Sequence, residues 1–434
     1  MPSTYLTRTT GTPTSDKIMT FSFWLKKGVE QEPIMSRHVD SSNRFQFYNL
    51  DSTTKIQLYQ QVSGSVEMNL SHQRALRDFN GWYHWVIAID TTQATDSDRV
   101  KIYINGELLS GYSTATYPAQ NADILFNGSS VTQEIGRTNG NDYFNGSMSH
   151  FHFIDGTQYA ASDFGSTDST TGEWKINPAP NVNYGNNGFF VLKDGNSVTD
   201  QSPNTNNFTV ASGTLTKTED NPSNVFATWN PLQWTYDSGG NPPNTSFGNG
   251  NTSVLTSASS GDSADVWGTL GADSGKYYYE VKMTNNPSDS GNTSMSVGWG
   301  NVETGERITY YGSNGYQYYA SGSATYGATY TQNDIIGVAV DLTNGTIEFY
   351  KNGTSQGSIT NRITTNTGYW QPLTWDGSGS LTASWNANFG GGFFGTTAVS
   401  SNSGNGYSAT GNLGIFQYQP STGYTALCTK GLNL

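Results

Sequence analysis

Apolar residues in this sequence recur at every second position in short runs, and hardly any stretch keeps the three-and-four spacing of a helix for three turns. In TFSFWL (20–25), Phe21, Phe23 and Leu25 share one face. Tyr83, Trp85, Ile87 and Ile89 share another, with His84, Val86 and Ala88 opposite. Val100, Ile102 and Ile104 alternate up to Asn105-Gly106, the dipeptide that most strongly marks a two-residue hairpin because both positions tolerate positive φ. Such a chain is all-β: short antiparallel strands closed by tight turns. Ser162 to Trp174 is the one stretch with room for a short helical turn.

The pattern occurs twice. WVIAID (85–90) followed by VKIYINGELL (100–109) is matched by IGVAVD (336–341) followed by TIEFYKNGTS (346–355). Each is a strand ending in Asp, a connection, a second strand and an Asn-Gly turn, which implies two copies of one architecture. The reading divides the chain into a β-sandwich over 1–217, a Pro-, Gly- and Asn-rich crossover over 218–252 and a second β-sandwich over 253–434. Both are expected to be antiparallel and of jelly-roll type. Phe226, Trp229, Leu232 and Trp234 inside the crossover are expected to anchor it as an ordered segment.

Composition agrees. Charged residues make up 13% of the 434, against about a quarter in an average soluble domain, while 26 Tyr and 50 Gly supply strands and turns. Low charge with many aromatics is not the composition of a disordered chain. The balance of 21 basic and 34 acidic residues, 21 − 34 = −13, repels phosphate backbones and argues against nucleic-acid binding. The single cysteine, Cys428, allows no internal disulfide and reads as a small hydrophobe in a last strand. The opening MPSTYLTRTTGTPTSDK has no apolar core of a signal peptide, and the longest apolar runs, such as Ile335 to Val340, are too short to span a bilayer. Synthesis in a cytoplasm and no membrane insertion are therefore expected.

Several stretches resemble known families. YLTRTTGTPTSDKIMTFSFWLKKG, GWYHWVIAIDTT and VKIYINGELL are similar to concanavalin A-like sandwiches of the laminin-G and pentraxin type. FNGSMSHFHFIDGTQYAASDFGSTDSTTGEWKINPAP, YGNNGFFVLKDGNSVTDQSPNTNNFTV and DNPSNVFATWNPL, from about 144 to 232, resemble a block found in tailed-bacteriophage structural proteins, as does the ending STGYTALCTKGLNL. GKYYYEVKM (275–283), MSVGWG (295–300), DIIGVAVDLTNGTIEFYKNG (334–353) and ASWNANFG (383–390) resemble a SPRY domain. The resemblance implies two concanavalin-like sandwiches and a place in a virion.

Residues for catalysis are hard to find. Retaining glycoside hydrolysis needs two carboxylates across the scissile bond, and the Glu-x-Asp-x-Glu strand that would supply them is absent. Asp96 with Asp98, and Glu303 with Glu306, read as solvated loop carboxylates. His150 and His152 share a strand face without a third ligand at metal spacing, and read as partly exposed strand residues. No cofactor is expected, with calcium at one loop left open. Laminin-G and pentraxin folds often bind it through loop oxygens, and DTTQATDSD offers Asp90, Asp96 and Asp98. The Tyr-dense stretch 310–330 provides Tyr310, Tyr311, Tyr316, Tyr318 and Tyr319 as a candidate sugar-stacking platform, with core packing as the simpler alternative. This stretch and the 284–294 loop are the expected contact regions.

The expected function is that of a non-enzymatic virion structural protein on the particle surface. Its most concrete form is a tail-fibre or adhesin-type appendage that contacts host surface polysaccharide by multivalent weak binding. Its partners would be other virion proteins and further copies of itself. The alternative is a capsid decoration or cement protein, favoured by the absence of heptads and long repeat arrays. A glucanase-like enzyme is disfavoured by the missing carboxylates, and a secreted bacterial adhesin by the missing signal peptide.

Overall fold

The computed structural model describes residues 3–28, 32–50, 55–74, 76–138, 142–193, 197–234, 245–257, 264–285, 295–365, 367–376, 382–399, 407–408 and 410–433. The chain forms two compact units, Met1–Thr216 and Lys217–Leu434. Each is a β-sandwich with almost wholly antiparallel sheets; among the described residues a two-residue pairing of Thr425–Ala426 with Tyr277–Tyr278 and an isolated Gly391–Ile415 bridge are parallel.

In the first unit an eight-stranded sheet runs in the order Thr114–Thr116, Ser65–His72, Lys55–Val62, Asn43–Leu50, Glu32–Asp40, Thr132–Ile135, Tyr5–Thr9, Thr209–Ser212. It faces a six-stranded sheet ordered Phe189–Val191, Gly146–Asp155, Ile18–Lys27, Tyr83–Asp90, Val100–Ile104, Glu107–Leu108. Alternation makes the core. Phe21 stands opposite Ile87 on one neighbour and Phe153 on the other, and Phe23 stacks on Phe151 at 4.8 Å. These rings are fully buried, each contributing about 1.5–3 kcal/mol by removal from water.

The second unit repeats the plan. A seven-stranded sheet is ordered Trp229–Trp234, Ala264–Gly268, Trp370–Asp376, Met295–Asn301, Arg307–Tyr311, Tyr316–Tyr319, Gly322–Thr325. The other sheet runs Thr245–Gly248, Ser253–Ser257, Thr382–Asn388, Lys276–Asn285, Ile335–Asp341, Thr346–Lys351, Thr354–Thr360. Between them Trp229, Tyr279 and Phe389 interlock, with Tyr279 and Phe389 stacked at 5.3 Å. The Tyr279 hydroxyl donates to the Gly298 carbonyl at 2.6 Å. Of the crossover residues, Phe226 and Trp229 are buried in this unit, whereas Leu232 is 55% exposed and anchors nothing. The Trp234 side chain and residues 235–244 lie outside the described residues.

The repeat seen in the sequence is a repeat of hydrogen bonds. The amide of Asn105 donates to the His84 carbonyl at 2.9 Å, and its side-chain oxygen accepts from the His84 amide at 2.8 Å. Asn352 does the same with Ile335, at 2.8 Å in both directions. Both asparagines have φ near +50°, the left-handed conformation that the residue tolerates. The ends of each unit also pair. Thr4 Oγ1 and the Thr214 backbone meet at 3.0 Å in the first; in the second the Ala227 amide donates to the Leu427 carbonyl and the Thr429 amide to the Val225 carbonyl, both at 2.9 Å.

Helical structure is sparse. A 3₁₀ turn occupies Ala161–Asp163, at the edge of the stretch expected to hold one, and the rest of that stretch contributes the hairpin Gly165–Thr167 with Trp174–Ile176. The α-helical turn among the described residues is Asp96–Arg99.

Candidate functional site

The tyrosine-rich stretch forms an edge ribbon of the seven-stranded sheet. Thr309 pairs with Tyr318, Tyr310 with Gln317 and Tyr316 with Thr325. The turn is set by Asn314, whose side-chain oxygen accepts from the Tyr316 amide at 2.9 Å, and by Gly315, where φ is +70° and a Cβ would lie 2.1 Å from the Gly327 carbonyl.

Strand parity then sorts the tyrosines. Tyr310 points inward, is fully buried among Tyr326, Tyr330 and Phe349, and donates its hydroxyl to the Ala328 carbonyl. Burial pushes its pKa up to about 12. Tyr311 faces the other way but is buried between Tyr318 at 4.9 Å and Trp375 at 5.7 Å. Tyr319 lies half-buried under the Arg362 guanidinium, 3.7 Å above its ring. The expected five-ring platform is therefore corrected: Tyr310 belongs to the core, Tyr311 is the support beneath the face, and Tyr319 is covered. Tyr316, 36% exposed, and half-buried Tyr318 form the surface pair, 6.5 Å apart and inclined by 34°. Asn314 donates to the Tyr318 hydroxyl at 3.0 Å. The sequence reading missed Asn314, Trp375 and Arg362, which are separated from the tyrosines in sequence or lack a local signal. Of the companion loop, residues 286–294 lie outside the described residues.

The acidic loop does not gather its carboxylates. Asp90 is 8% exposed and caps a turn: its oxygens accept from the Thr92 amide at 3.0 Å, the Thr92 hydroxyl at 2.6 Å and Gln93 Nε2 at 2.6 Å. Burial raises its pKa, but these hydrogen bonds prevail and hold it below the usual value. Asp341, its counterpart in the repeat, caps its own turn by accepting from Asn344 twice. Asp98 pairs with Lys101 at 3.1 Å, and Asp96 accepts from the Ser97 amide at 2.7 Å. No group of three His, Cys, Asp or Glu side chains able to hold a metal occurs among the described residues. The grouping of Asp90, Asp96 and Asp98 as one calcium site is thus corrected to a turn cap, an ion pair and a surface carboxylate.

Residues 3–162 match the Concanavalin A-like lectin/glucanases superfamily, and residues 276–375 match the SPRY domain. The first unit carries a concanavalin A-like domain and the second a SPRY domain. Among solved structures, the SPRY domain of human HERC1 is similar at 20% identity, covering 31% of this chain and 86% of that one with a TM-score of 0.27. A second human SPRY domain is similar at 17% identity over 33% and 94%, TM-score 0.27. The heptameric SAP-like pentraxin from Limulus polyphemus is similar at 14% identity over 44% and 89%, TM-score 0.30.

In the concanavalin-like unit, residues that follow the matched region cover the outer face of the six-stranded sheet. Phe164, Tyr184 and Phe190 bury Val86 and Ile154 there. The expected partial exposure of the strand histidines holds for His150 and is corrected for His152. A bulge and a positive φ at His150 interrupt the ladder, leaving His150 half-buried. His152 is buried, stacked 3.8 Å from Phe190 and hydrogen-bonded through Nδ1 to the Tyr184 hydroxyl at 2.8 Å. Burial, then the neighbouring His150, hold its pKa well below the usual value.

In the SPRY unit the covering segment comes from the end of the chain, and a carboxylate holds it. Glu280 is fully buried and accepts from the Gln417 and Tyr418 amides at 2.9 and 2.8 Å, the Tyr278 hydroxyl at 3.1 Å and Asn388 Nδ2 at 3.2 Å. Burial raises its pKa to about 7 against the pull of these donors. Cys428 is buried in one cluster with Tyr278 and Phe416, its thiol pushed up by burial.

Proposed function

We propose that the chain is a non-catalytic surface protein of a tailed-phage particle, an adhesin-type appendage that contacts host surface polysaccharide through the Tyr316–Tyr318 face of its SPRY unit. The observation that carries the glycan reading is the pair of rings at 6.5 Å and 34°, backed by Tyr311 and Trp375 and flanked by Asn314. Two rings on alternate strand positions, inclined to each other, offer an apolar surface longer than one sugar ring, with hydroxyl and amide groups at its rim. The particle reading rests on the resemblance of residues 144–232 to phage structural proteins.

The carboxylates support a non-catalytic role. Glu280, the carboxylate raised toward neutrality among the described residues, is sealed by its four donors. Glu306 is engaged by the Thr364 hydroxyl at 2.9 Å.

Binding of the full chain to host cells and to their isolated polysaccharide tests the reading. Tyr316→Ala with Tyr318→Ala should weaken it about tenfold or more. Equal binding by wild type and the double variant would overturn the assigned face, and absence of the protein from purified particles would overturn the particle role.

A second reading, capsid decoration, is favoured by the edge strand Thr209–Ser212. All four of its residues are exposed, leaving the strand's outer edge open to a neighbouring subunit. Gold-labelled antibody across the head rather than at the tail would select it.

A further inference from the structure

The outer layer of the concanavalin-like unit contains a histidine whose protonation state its neighbours dictate. Trp174 Nε1 donates to Nδ1 of His84 at 2.9 Å. An indole nitrogen can only donate, so Nδ1 must present a lone pair. The remaining imidazole proton is therefore on Nε2, which lies 2.9 Å from Ser22 Oγ and donates to it. The ring stacks on Trp24 at 4.8 Å and 22°, lies edge to edge with Trp174, whose ring is 5.9 Å away and inclined by 17°, and is 1% exposed. Trp174 in turn sits on the Asn-Gly turn: a Cβ at Gly106 would come within 2.3 Å of its ring, and one at Gly165 within 2.7 Å.

We propose that the hairpin Gly165–Thr167 with Trp174–Ile176 is an acid-released latch, held by neutral His84 and freed when His84 takes a second proton. That proton can go only on Nδ1, where it would face the indole N–H donor to donor. The hydrogen bond is lost, the positive end of the indole N–H dipole faces a buried cation, and the favourable outcome is for Trp174 to leave and water to reach the imidazolium. His152 is not the sensor, because its partner Tyr184 carries a hydroxyl that can donate or accept and so tolerates either state.

The charged and titratable groups packed around His84 do not favour the cation. His150 and His152 stand on the Gly146–Asp155 strand, with Lys193 facing His152, and the charge felt at His84 is that of His150. Lys26 lies on the Ile18–Lys27 strand, on the same side as Ser22 and Trp24. Tyr103 and the Lys101–Asp98 pair belong to the Val100–Ile104 side. On the hairpin itself, Glu173 adjoins Trp174, and Asp168 is taken up by Lys175 at 2.7 Å.

Amide hydrogen exchange of the full chain, corrected for the intrinsic pH dependence, tests the latch. In the wild type the hairpin amides should lose protection about tenfold per pH unit below about pH 6.5, while those of Ile18–Lys27 stay protected. His84→Gln keeps an acceptor for Trp174 but cannot take the proton, and its hairpin should show no such fall. Should that variant not fold, Trp174→Phe keeps a ring on Gly106 without the N–H and should show a shallower fall. Wild-type protection that is flat between about pH 7 and about pH 4.5, or the full fall persisting in whichever variant folds, would overturn the proposal.

Discussion

The two units close the outer face of one sheet with the same device and opposite chemistry. In each, an aromatic ring from a later segment rests on the glycine of an Asn-Gly turn: Trp174 on Gly106 in the first, Tyr418 on Gly353 in the second, where a Cβ would lie 2.6 Å from the ring. Beside that contact the concanavalin-like unit buries an imidazole that must stay neutral, and the SPRY unit buries a carboxylate surrounded by donors. A strand pair and its turn thus fix where a covering segment docks, while the polar group beneath the cover determines the pH at which it holds.

The comparison breaks most visibly on a pH axis. His84 has its pKa lowered to about 3, chiefly by burial and then by His150. Its contribution is complete above the ordinary value near 6.5 and is lost as pH falls toward 3, at about 1.4 kcal/mol per pH unit. Glu280 is raised from 4.5 to about 7. Its contribution is complete below 4.5 and fades as pH rises through 7, a loss of about 3 kcal/mol. Denaturant unfolding followed separately in the two units should give slopes of opposite sign, and parallel profiles would remove the distinction. The glycines come next. Gly106→Ala and Gly353→Ala each place a methyl group against a ring at φ near +80°, and each should cost its own unit about 2–4 kcal/mol and leave the other's transition unmoved. Asn105→Ala and Asn352→Ala remove one side-chain hydrogen bond and a residue suited to positive φ, so each should cost about 1–2 kcal/mol, equal in the two units if the repeat is a true one. Smallest for stability is Tyr316→Ala on the exposed ribbon, within about 0.5 kcal/mol by thermal unfolding.

Much of this was legible in the sequence because strand alternation and Asn-Gly turns are local signals. WVIAID and IGVAVD form the strands they promise, and their aspartates end them alike. The parity of Tyr310 to Tyr319 was not legible: density of tyrosine marks a surface-suited strand, but which rings face inward depends on the register with Arg307–Tyr311 and on the turn at Gly315. Asp90 misled because carboxylate spacing says nothing about lone pairs already taken by Thr92 and Gln93; its repeat partner Asp341, followed by Asn344, was the available clue. His152 misled because alternation around Phe151 and Phe153 predicts an open opposite face, whereas a segment past residue 160 covers it.

The pairing of each unit's first and last residues has a mechanical consequence. The polypeptide enters and leaves each sandwich at one point, through Thr4 beside Thr214 and through Val225 to Ala227 beside Leu427 to Thr429. A pulling force applied to those ends acts along the inter-strand hydrogen bonds and opens them one after another, instead of loading them together in shear. Under tension each unit should peel from its closing strands inward at low force, so a tether through either one would yield gradually as its outer layers came away.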